Sequence, residues 1–256
     1  MKDPLESSRR MIAQARKHIL DLDKQIKIFN EAVPETVTAE VDPQIEHKQP
    51  YHIKFAKVVP SSLAETVSDI AGNLRAALDQ AGYAVAVASG KAVPKYCAFP
   101  FAGSATEFEN ALNGRAKDLP QQIRALLRAF KPYRGGNDLL WALNEICVSN
   151  EHRMLVPVLM FSTGFMITAR IPPDSTVEIP MIGPTWDSAT NEVIIARQGP
   201  DINFDYDINF YISVALDGIE VIRGKPVLGV LDKLLGEVES ILLSIEAEAK
   251  RLGLFR

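Results

Sequence analysis

The chain has 256 residues, with 28 Lys and Arg against 32 Asp and Glu, so its formal net charge is −4. Apolar residues make up 47% and charged residues 23% of it, a balance typical of globular proteins that excludes a disordered chain, a collagen or a polybasic nucleic-acid arm. No apolar run reaches the about 18 residues that a bilayer span needs. The N-terminal stretch MKDPLESSRR lacks the apolar region of a signal peptide. Two cysteines are too few for a disulfide scaffold, so we expect a cytoplasmic protein without a membrane segment.

The chain begins with a helical pattern. Apolar residues recur three or four positions apart over residues 11–29, which predicts a long first helix with Ser7 or Ser8 as its N-cap. Apolar and polar residues then alternate at 36–41 and again at 51–55. A period of two is typical of a half-buried strand, so these two segments predict an antiparallel hairpin.

Four further helices are predicted between this hairpin and the last third of the chain. The longest begins near Ser62 and ends at Gly90, and a short one covers 105–113. Pro120 occupies the first turn of the third, where its missing N–H costs nothing. The fourth helix takes its N-cap from the pair 137–138.

The last third of the chain changes character. Short apolar and β-branched runs, separated by Gly, Pro, Asn and Asp, predict an antiparallel meander between residues 155 and 216. A final long helix follows, with an apolar stripe over 231–245, Pro226 before it and Gly253 at its end. Because the first and last helices both carry near-heptad stripes, we expect them to pack side by side or against the same helices of a second subunit.

The order of these elements predicts the fold class. Helices and strands occupy separate blocks and do not alternate, which favours an α+β fold over a doubly wound sheet. We expect a bundle of about six helices, with long N- and C-terminal helices, together with the β-hairpin and the C-terminal β-meander. Residues 1–256 are interpreted as a single domain with a weak internal seam near 155–160. The expected partner is a second copy or another protein held through helices.

Four segments of the chain resemble one protein family. They are GNLRAALDQ at 72–80, FPF at 99–101, KPYRGG at 131–136 and LWALNE at 140–145, the last running on to NEHRML at 150–155. In this order they resemble a widespread bacterial family with an HNLRSALDH-like helix, FPI and QPY segments, and an LWxLxxLxxxDKHR-like helix. The family brings no established activity with it. Gly72 and Gln80 stand where its first motif has histidines.

A more distant resemblance is to the HEPN group of helical RNases. Their mark is an Arg, four to six residues and then a His on one helix, and Arg75 and Gln80 have this spacing without the His. A five-residue step turns a helix by about 140°, so these two side chains diverge. The resemblance implies an RNA-binding protein or endoribonuclease in which Arg75 and His152 serve as the Arg and the His.

The candidate catalytic residues are Arg75, Glu145 and His152. Arg75 and Asp79 lie four residues apart, which fits a guanidinium that Asp79 orients toward an anionic group, an ordinary i,i+4 ion pair, or an Arg tied to a neighbouring helix. We expect the helices that bear Arg75 and His152 to face each other, with Arg75 against Glu145. Glu145, Ser149 and His152 fall within about 60° on a helix and place an acid, a hydroxyl and an imidazole in one line. A solvated helix face explains the same line.

A basic segment is the candidate polyanion site. Between residues 115 and 134 six cations oppose one carboxylate, a local charge of +5. The candidate contacts are Arg124, Arg128, Lys131 and Arg134. Such a patch can follow a phosphate backbone, although a basic face that pairs with acidic neighbours has the same composition.

No metal or cofactor is expected. The four histidines are scattered, the cysteines have no zinc-ligand spacing, and no Gly-rich nucleotide loop is present. Three functional hypotheses remain. The leading one is a non-enzymatic or catalytically degraded cytoplasmic binding protein, and the main alternative is a HEPN-like RNA-binding protein or endoribonuclease. A structural member of a larger complex is the third hypothesis, and it requires exposed apolar positions on the first and last helices.

Overall fold

The computed structural model describes eleven segments of the chain: 3–31, 37–39, 49–54, 59–148, 155–161, 167–171, 175–179, 185–187, 192–198, 203–204 and 210–256. The chain divides into two compact units. The helical unit comprises residues 1–24, 61–155 and 216–256, and the strand unit comprises residues 25–60 and 156–215.

Six α-helices lie in the described part of the chain, as the sequence predicts. They are α1 (Glu6–Glu31), α2 (Ser61–Ala88), α3 (Ala105–Arg115), α4 (Gln121–Ala129), α5 (Asp138–Val148) and α6 (Val227–Arg251). A 3-10 turn at Glu220–Ile222 precedes α6. The first and last helices are the long ones expected from their apolar stripes, and only α2 is longer than either.

Helix α2 forms the centre of the helical unit. It packs against both α5 and α6. Its apolar stripe is removed from solvent along the whole helix, and the side chains with at most 1% exposure include Val67, Ile70, Leu74, Leu78 and Val85. Burial of one such side chain contributes about 1.5–3 kcal/mol, so this stripe contributes substantially to the stability of the helical unit.

Helices α1 and α6 run antiparallel, and their side-by-side packing is confirmed within the helical unit. Arg9 of α1 donates to Glu246 of α6 at 2.7 Å, and Arg16 donates to Glu239 at 2.6 Å. The two ion pairs advance in opposite directions along the two helices, as antiparallel packing requires. Leu22, further along α1, is fully buried.

The helix ends follow local chemistry. Asn137 Oδ1 accepts the Leu140 N–H at 3.1 Å and caps α5, as predicted. Gly90 and Gly253 adopt positive φ angles of 92° and 71° just after α2 and α6. The predicted cap of α1 is wrong, because the helix begins at Glu6, before either serine, and Asp3 Oδ1 accepts the Leu5 N–H at 2.9 Å.

Nine strands belong to the described segments. They are β1 (Val37–Ala39), β2 (Gln49–Lys54), β3 (Leu155–Phe161), β4 (Ile167–Ile171), β5 (Ser175–Ile179), β6 (Thr185–Asp187), β7 (Glu192–Gln198), β8 (Asn203–Phe204) and β9 (Phe210–Leu216). They form three sheets with the orders β1-β2-β7-β6, β3-β9 and β5-β4-β8. Strand β2 pairs antiparallel with both β1 and β7, and its register with β7 shifts between Tyr51 and His52. Strands distant in sequence are therefore neighbours in these sheets.

Candidate functional site

Arg75 lies half-buried on the central helix α2, among residues of two other segments. Its guanidinium carbon lies 5.6 Å from the centre of the Phe101 ring, a cation–π arrangement. It also lies close to the Cys147 thiol of α5. Burial raises the pKa of Cys147, and the Arg75 charge opposes that rise. Arg75 is thus in contact with a loop and a neighbouring helix.

Asp79, one turn beyond Arg75, holds the same loop through its backbone. Its Oδ1 accepts the Phe99 N–H at 2.8 Å. Burial raises the pKa of the Asp79 carboxyl, and the Phe99 hydrogen bond and the Arg75 charge partly counter this effect. Two of the predicted alternatives for Arg75 placed the Asp79 carboxylate against the guanidinium, and the third, an Arg tied to a neighbouring helix, agrees with the position of Arg75 beside Cys147 of α5. The Asp79 carboxylate instead bonds to the backbone of Phe99.

The loop that α2 holds is a buried aromatic segment. Phe99 and Phe101 are 3% and 4% exposed, and their ring centres lie 4.9 Å apart. The next residue, Ala102, donates its N–H to the Pro132 carbonyl at 3.2 Å. The FPF and KPYRGG segments are therefore joined through the backbone.

The KPYRGG segment forms a tight turn between α4 and α5. The Lys131 carbonyl accepts the N–H groups of Tyr133 and Asn137, both at 2.7 Å, and Lys131 has a φ of 50°. A Cβ on Gly136 would lie 2.6 Å from that carbonyl, so the turn requires glycine there. Arg134 then lies 5.6 Å from the Trp141 ring centre of α5. The described residues that carry the family resemblance thus contact one another, and these contacts connect α2, the crossover loop (residues 89–104), the α4–α5 turn and α5.

Of the other two candidate catalytic residues, Glu145 belongs to the described part of the chain and His152 does not. Glu145 lies half-buried on α5 and accepts a hydrogen bond from the Asn144 amide at 3.3 Å. Helices α2 and α5 do pack together, but the ion pairs of the described residues do not include one between Arg75 and Glu145. Ser149 and His152 lie outside the described residues, so the predicted acid, hydroxyl and imidazole line stays a prediction.

The candidate polyanion residues are largely engaged with their own chain. Arg128 donates to both carboxylate oxygens of Glu109, at 2.7 and 2.9 Å. Arg134 pairs with Glu220, and Arg124 donates to the Asn113 side chain. Lys131 is exposed. The structure thus supplies acidic or amide partners for three of the four cations.

A groove that the sequence did not predict lies at one end of the helical unit. It has a volume of about 400 Å³ and lies between the start of α1, the second half of α2 and the segment after α6. Its walls include Ser7, Arg10, Gln80, Tyr83, Val87 and Phe255. We call it the α1–α2 groove. The sequence signal that could have revealed it is the pair Tyr83 and Val87, two large apolar side chains one turn apart that fall outside the apolar stripe of α2.

Gln80 connects this groove to the motif of the central helix. Its Oε1 accepts the Ser7 hydroxyl of α1 at 3.4 Å, so Gln80 bridges α2 and α1. Arg75 meets Phe101 and Cys147, whereas Gln80 meets α1. The two positions of the HEPN-like spacing therefore point to different neighbours, as the helical angle between them predicts.

No group of three or more His, Cys, Asp or Glu among the described residues is arranged to hold a metal ion. Within the same residues, no helix is both long and apolar enough to cross a membrane. Comparison of the chain with protein-family models, with curated proteins and with solved structures finds no match in any of the three.

Proposed function

We propose that this protein is a non-enzymatic binding protein of the cytoplasm that works as a homodimer through its last helix. The observation that carries the proposal is one uncovered face of α6. Its eight residues are all exposed and fall within a sector of about 100°. We call them the α6 face: Gly229, Asp232, Lys233, Gly236, Ser240, Leu243, Ala247 and Lys250.

The shape of the α6 face suits a second helix. Leu243 is 60% exposed, and at Gly229 and Gly236 an added Cβ would have no atom within 4 Å. Glycine inside a helix costs about 0.5–1 kcal/mol relative to alanine. No neighbour within the described chain requires these two glycines to lack a side chain. Small residues allow helices to approach closely, so a second helix on this face would give them a role.

The charges of the α6 face are complementary to those of the same face on a second copy. Asp232 and Lys250 lie 18 residues apart, five helical turns, and therefore on the same side of the face. In an antiparallel pair with twofold symmetry about Ile241, Asp232 of each copy meets Lys250 of the other, which it shares with Glu246 of that copy, the ion-pair partner of Lys250 at 2.9 Å. Leu243 then falls beside Gly236 and Ser240 of the second copy. An isologous contact of this kind is the commonest way in which protein chains associate.

The contacts of the central helix support a non-enzymatic role. Arg75 lies over Phe101, and Asp79 binds the Phe99 backbone, so both groups are used to hold the loop against α2. As part of the same proposal, residues 36–55 form an antiparallel hairpin, and the predicted meander is limited to the consecutive antiparallel pairs β4–β5 and β6–β7, because β3 lies beside β9 and β4 beside β8. The two sets of strands supply the β layer of the α+β fold.

The test is the molar mass of the protein in solution, by sedimentation velocity over a wide concentration range. We expect a dimer, and a monomer for Leu243→Glu, because a carboxylate at that position would be buried without a partner. Leu20→Glu is the matched control, since Leu20 is 59% exposed on α1 and outside the α6 face. This variant stays dimeric.

A charge exchange tests the antiparallel geometry. Asp232→Lys places like charges opposite each other and weakens the dimer, whereas Asp232→Lys combined with Lys250→Asp restores it. A wild-type monomer at all concentrations, or a Leu243→Glu variant that remains dimeric, would contradict the proposed function.

A further inference from the structure

The α1–α2 groove has the size and the wall structure of a small-molecule site. Its volume of about 400 Å³ lies within the range of about 300–1,000 Å³ that is usual for ligand pockets. It is separate from the α6 face, because the two share no residue. Whether it binds a ligand is therefore independent of the proposed dimer.

The apolar part of the groove is preformed. Tyr83 and Val87 of α2 are 48% and 46% exposed, although both are large apolar side chains. Phe255 forms part of the wall and is held by the turn after α6. In that turn Ala249 O accepts the N–H groups of Leu254 and Phe255, at 2.9 and 3.4 Å. A ligand would cover the exposed parts of Tyr83 and Val87 without first ordering the chain.

One cation in the wall of the groove, Arg10, is available to a ligand. Ser7 and Gln80 hydrogen-bond each other. Asp3 accepts the Leu5 N–H and the Arg9 guanidinium, each at 2.9 Å, and Glu6 also has a partner of its own. Arg10 is exposed, and none of the ion pairs or hydrogen bonds among the described residues engages its guanidinium.

We propose that the α1–α2 groove binds a small amphipathic anion, with its apolar or aromatic body on Tyr83 and Val87 and its acidic group on Arg10. A guanidinium binds a carboxylate through two parallel hydrogen bonds, which fixes the orientation of such a ligand. The start of α1, where the backbone N–H groups carry a partial positive charge, lies in the same wall and adds to the preference for an anion.

The test uses three probes that share one body and differ in their charge: 4-phenylbutyrate, 4-phenylbutanol and 4-phenylbutylamine. Calorimetry and saturation-transfer NMR measure the binding of each to the full-length protein. We expect the carboxylate to bind about fivefold more tightly than the alcohol, the ratio that an exposed ion pair gives, and the amine to bind most weakly.

Two variants and a control assign the contacts. Arg10→Gln removes the preference for the carboxylate but keeps the binding of the alcohol. Val87→Asn removes the apolar contact without adding a charge and weakens the binding of all three probes, and thermal unfolding checks that this surface change leaves the fold intact. Lys17→Gln removes one cation from the same helix outside the groove and changes nothing. Equal binding of alcohol and carboxylate, an unchanged preference in Arg10→Gln, or no binding of any probe would overturn the proposal, and none of these results depends on whether the protein is a dimer.

Discussion

Gly82 determines how closely α2 approaches the crossover loop. A Cβ added there would lie 1.9 Å from the Cys97 carbonyl oxygen, so the backbone itself would have to move. We expect Gly82→Ala to lower the free energy of unfolding by about 1–3 kcal/mol, the usual cost of overpacking. Urea denaturation followed by circular dichroism measures it.

The control for this substitution lies on the same helix. Gly72 has no atom within 4 Å of an added Cβ, so Gly72→Ala is expected to stabilise the protein by about 0.5–1 kcal/mol. A loss of stability in Gly72→Ala as large as that in Gly82→Ala would show that the close approach to Cys97 is not what distinguishes the two positions, because helix propensity alone favours alanine at both.

Asp79 gives the stability of the helical unit a pH dependence of known sign. Burial raises the pKa of this carboxyl in the folded state above its unfolded value, so the folded state takes up a proton first as the pH falls. Asp79 therefore stabilises the fold increasingly as the pH drops from its raised pKa toward the ordinary value near 3.9. Ionisation of Asp79 above its raised pKa removes this contribution.

The Asp79→Asn variant isolates this effect. Asparagine keeps an acceptor for the Phe99 N–H but cannot ionise, so it lacks the pH-dependent contribution. We expect the difference in unfolding free energy between wild type and Asp79→Asn to move in favour of the wild type as the pH is lowered from 7 toward 4. Urea titrations at several pH values measure it. A difference that is constant or moves the other way would show that burial does not raise this pKa.

At the scale of elements, the apolar contact of α1 outweighs its ion pairs with α6. The Arg16 and Glu239 side chains are 56% and 39% exposed, and such pairs contribute about 0.2–1 kcal/mol. Leu22 is fully buried, and truncation of a buried leucine costs about 2–5 kcal/mol. We expect Leu22→Ala to lower the free energy of unfolding by several times the coupling energy between Arg16 and Glu239. The variants Arg16→Ala and Glu239→Ala and their combination give this coupling energy. Denaturation of Leu22→Ala and of the four proteins of the double-mutant cycle, at low and high salt, measures both energies. A coupling energy larger than the loss of stability in Leu22→Ala would refute this order.

The helices could be predicted well from the sequence, because each cap or stop signal depends only on neighbouring residues. The cap at Asn137 and the glycines after α2 and α6 required no knowledge of the rest of the chain. The start of α1 was misplaced because Asp3, Ser7 and Ser8 are all good caps, and tertiary packing decides among them. Ser8 is 1% exposed, so it belongs to the core.

The candidate sites were harder to predict because they combine distant segments. The bond between Asp79 and Phe99 crosses 20 residues, and no helical spacing reveals it. The α1–α2 groove needs residues near both ends of the chain together with the second half of α2. Local spacing could not reveal the partners of the basic segment either, since Glu220 lies 86 residues from Arg134.

At the scale of the whole molecule, charge is compensated between segments. The cations of residues 115–134 give a local charge of +5 in a chain of net charge −4. Glu109 and Glu220 neutralise two of them directly, and the pairing with Arg128 lowers the pKa of Glu109. A polyanion would have to compete with these carboxylates for Arg128 and Arg134.

Incubation with labelled tRNA and single-stranded RNA separates the binding hypothesis from the RNA-acting alternative. We expect no cleavage by the wild type, by Arg75→Ala or by His152→Ala, and RNA binding that is weak and falls steeply with salt. Glu109→Gln releases Arg128 and should strengthen any binding through the basic segment. Glu239→Gln, which releases Arg16 on α1, is the matched control. Cleavage by the wild type that disappears in both Arg75→Ala and His152→Ala would establish a divergent RNase, because acid–base groups act only within reach of the reacting atoms.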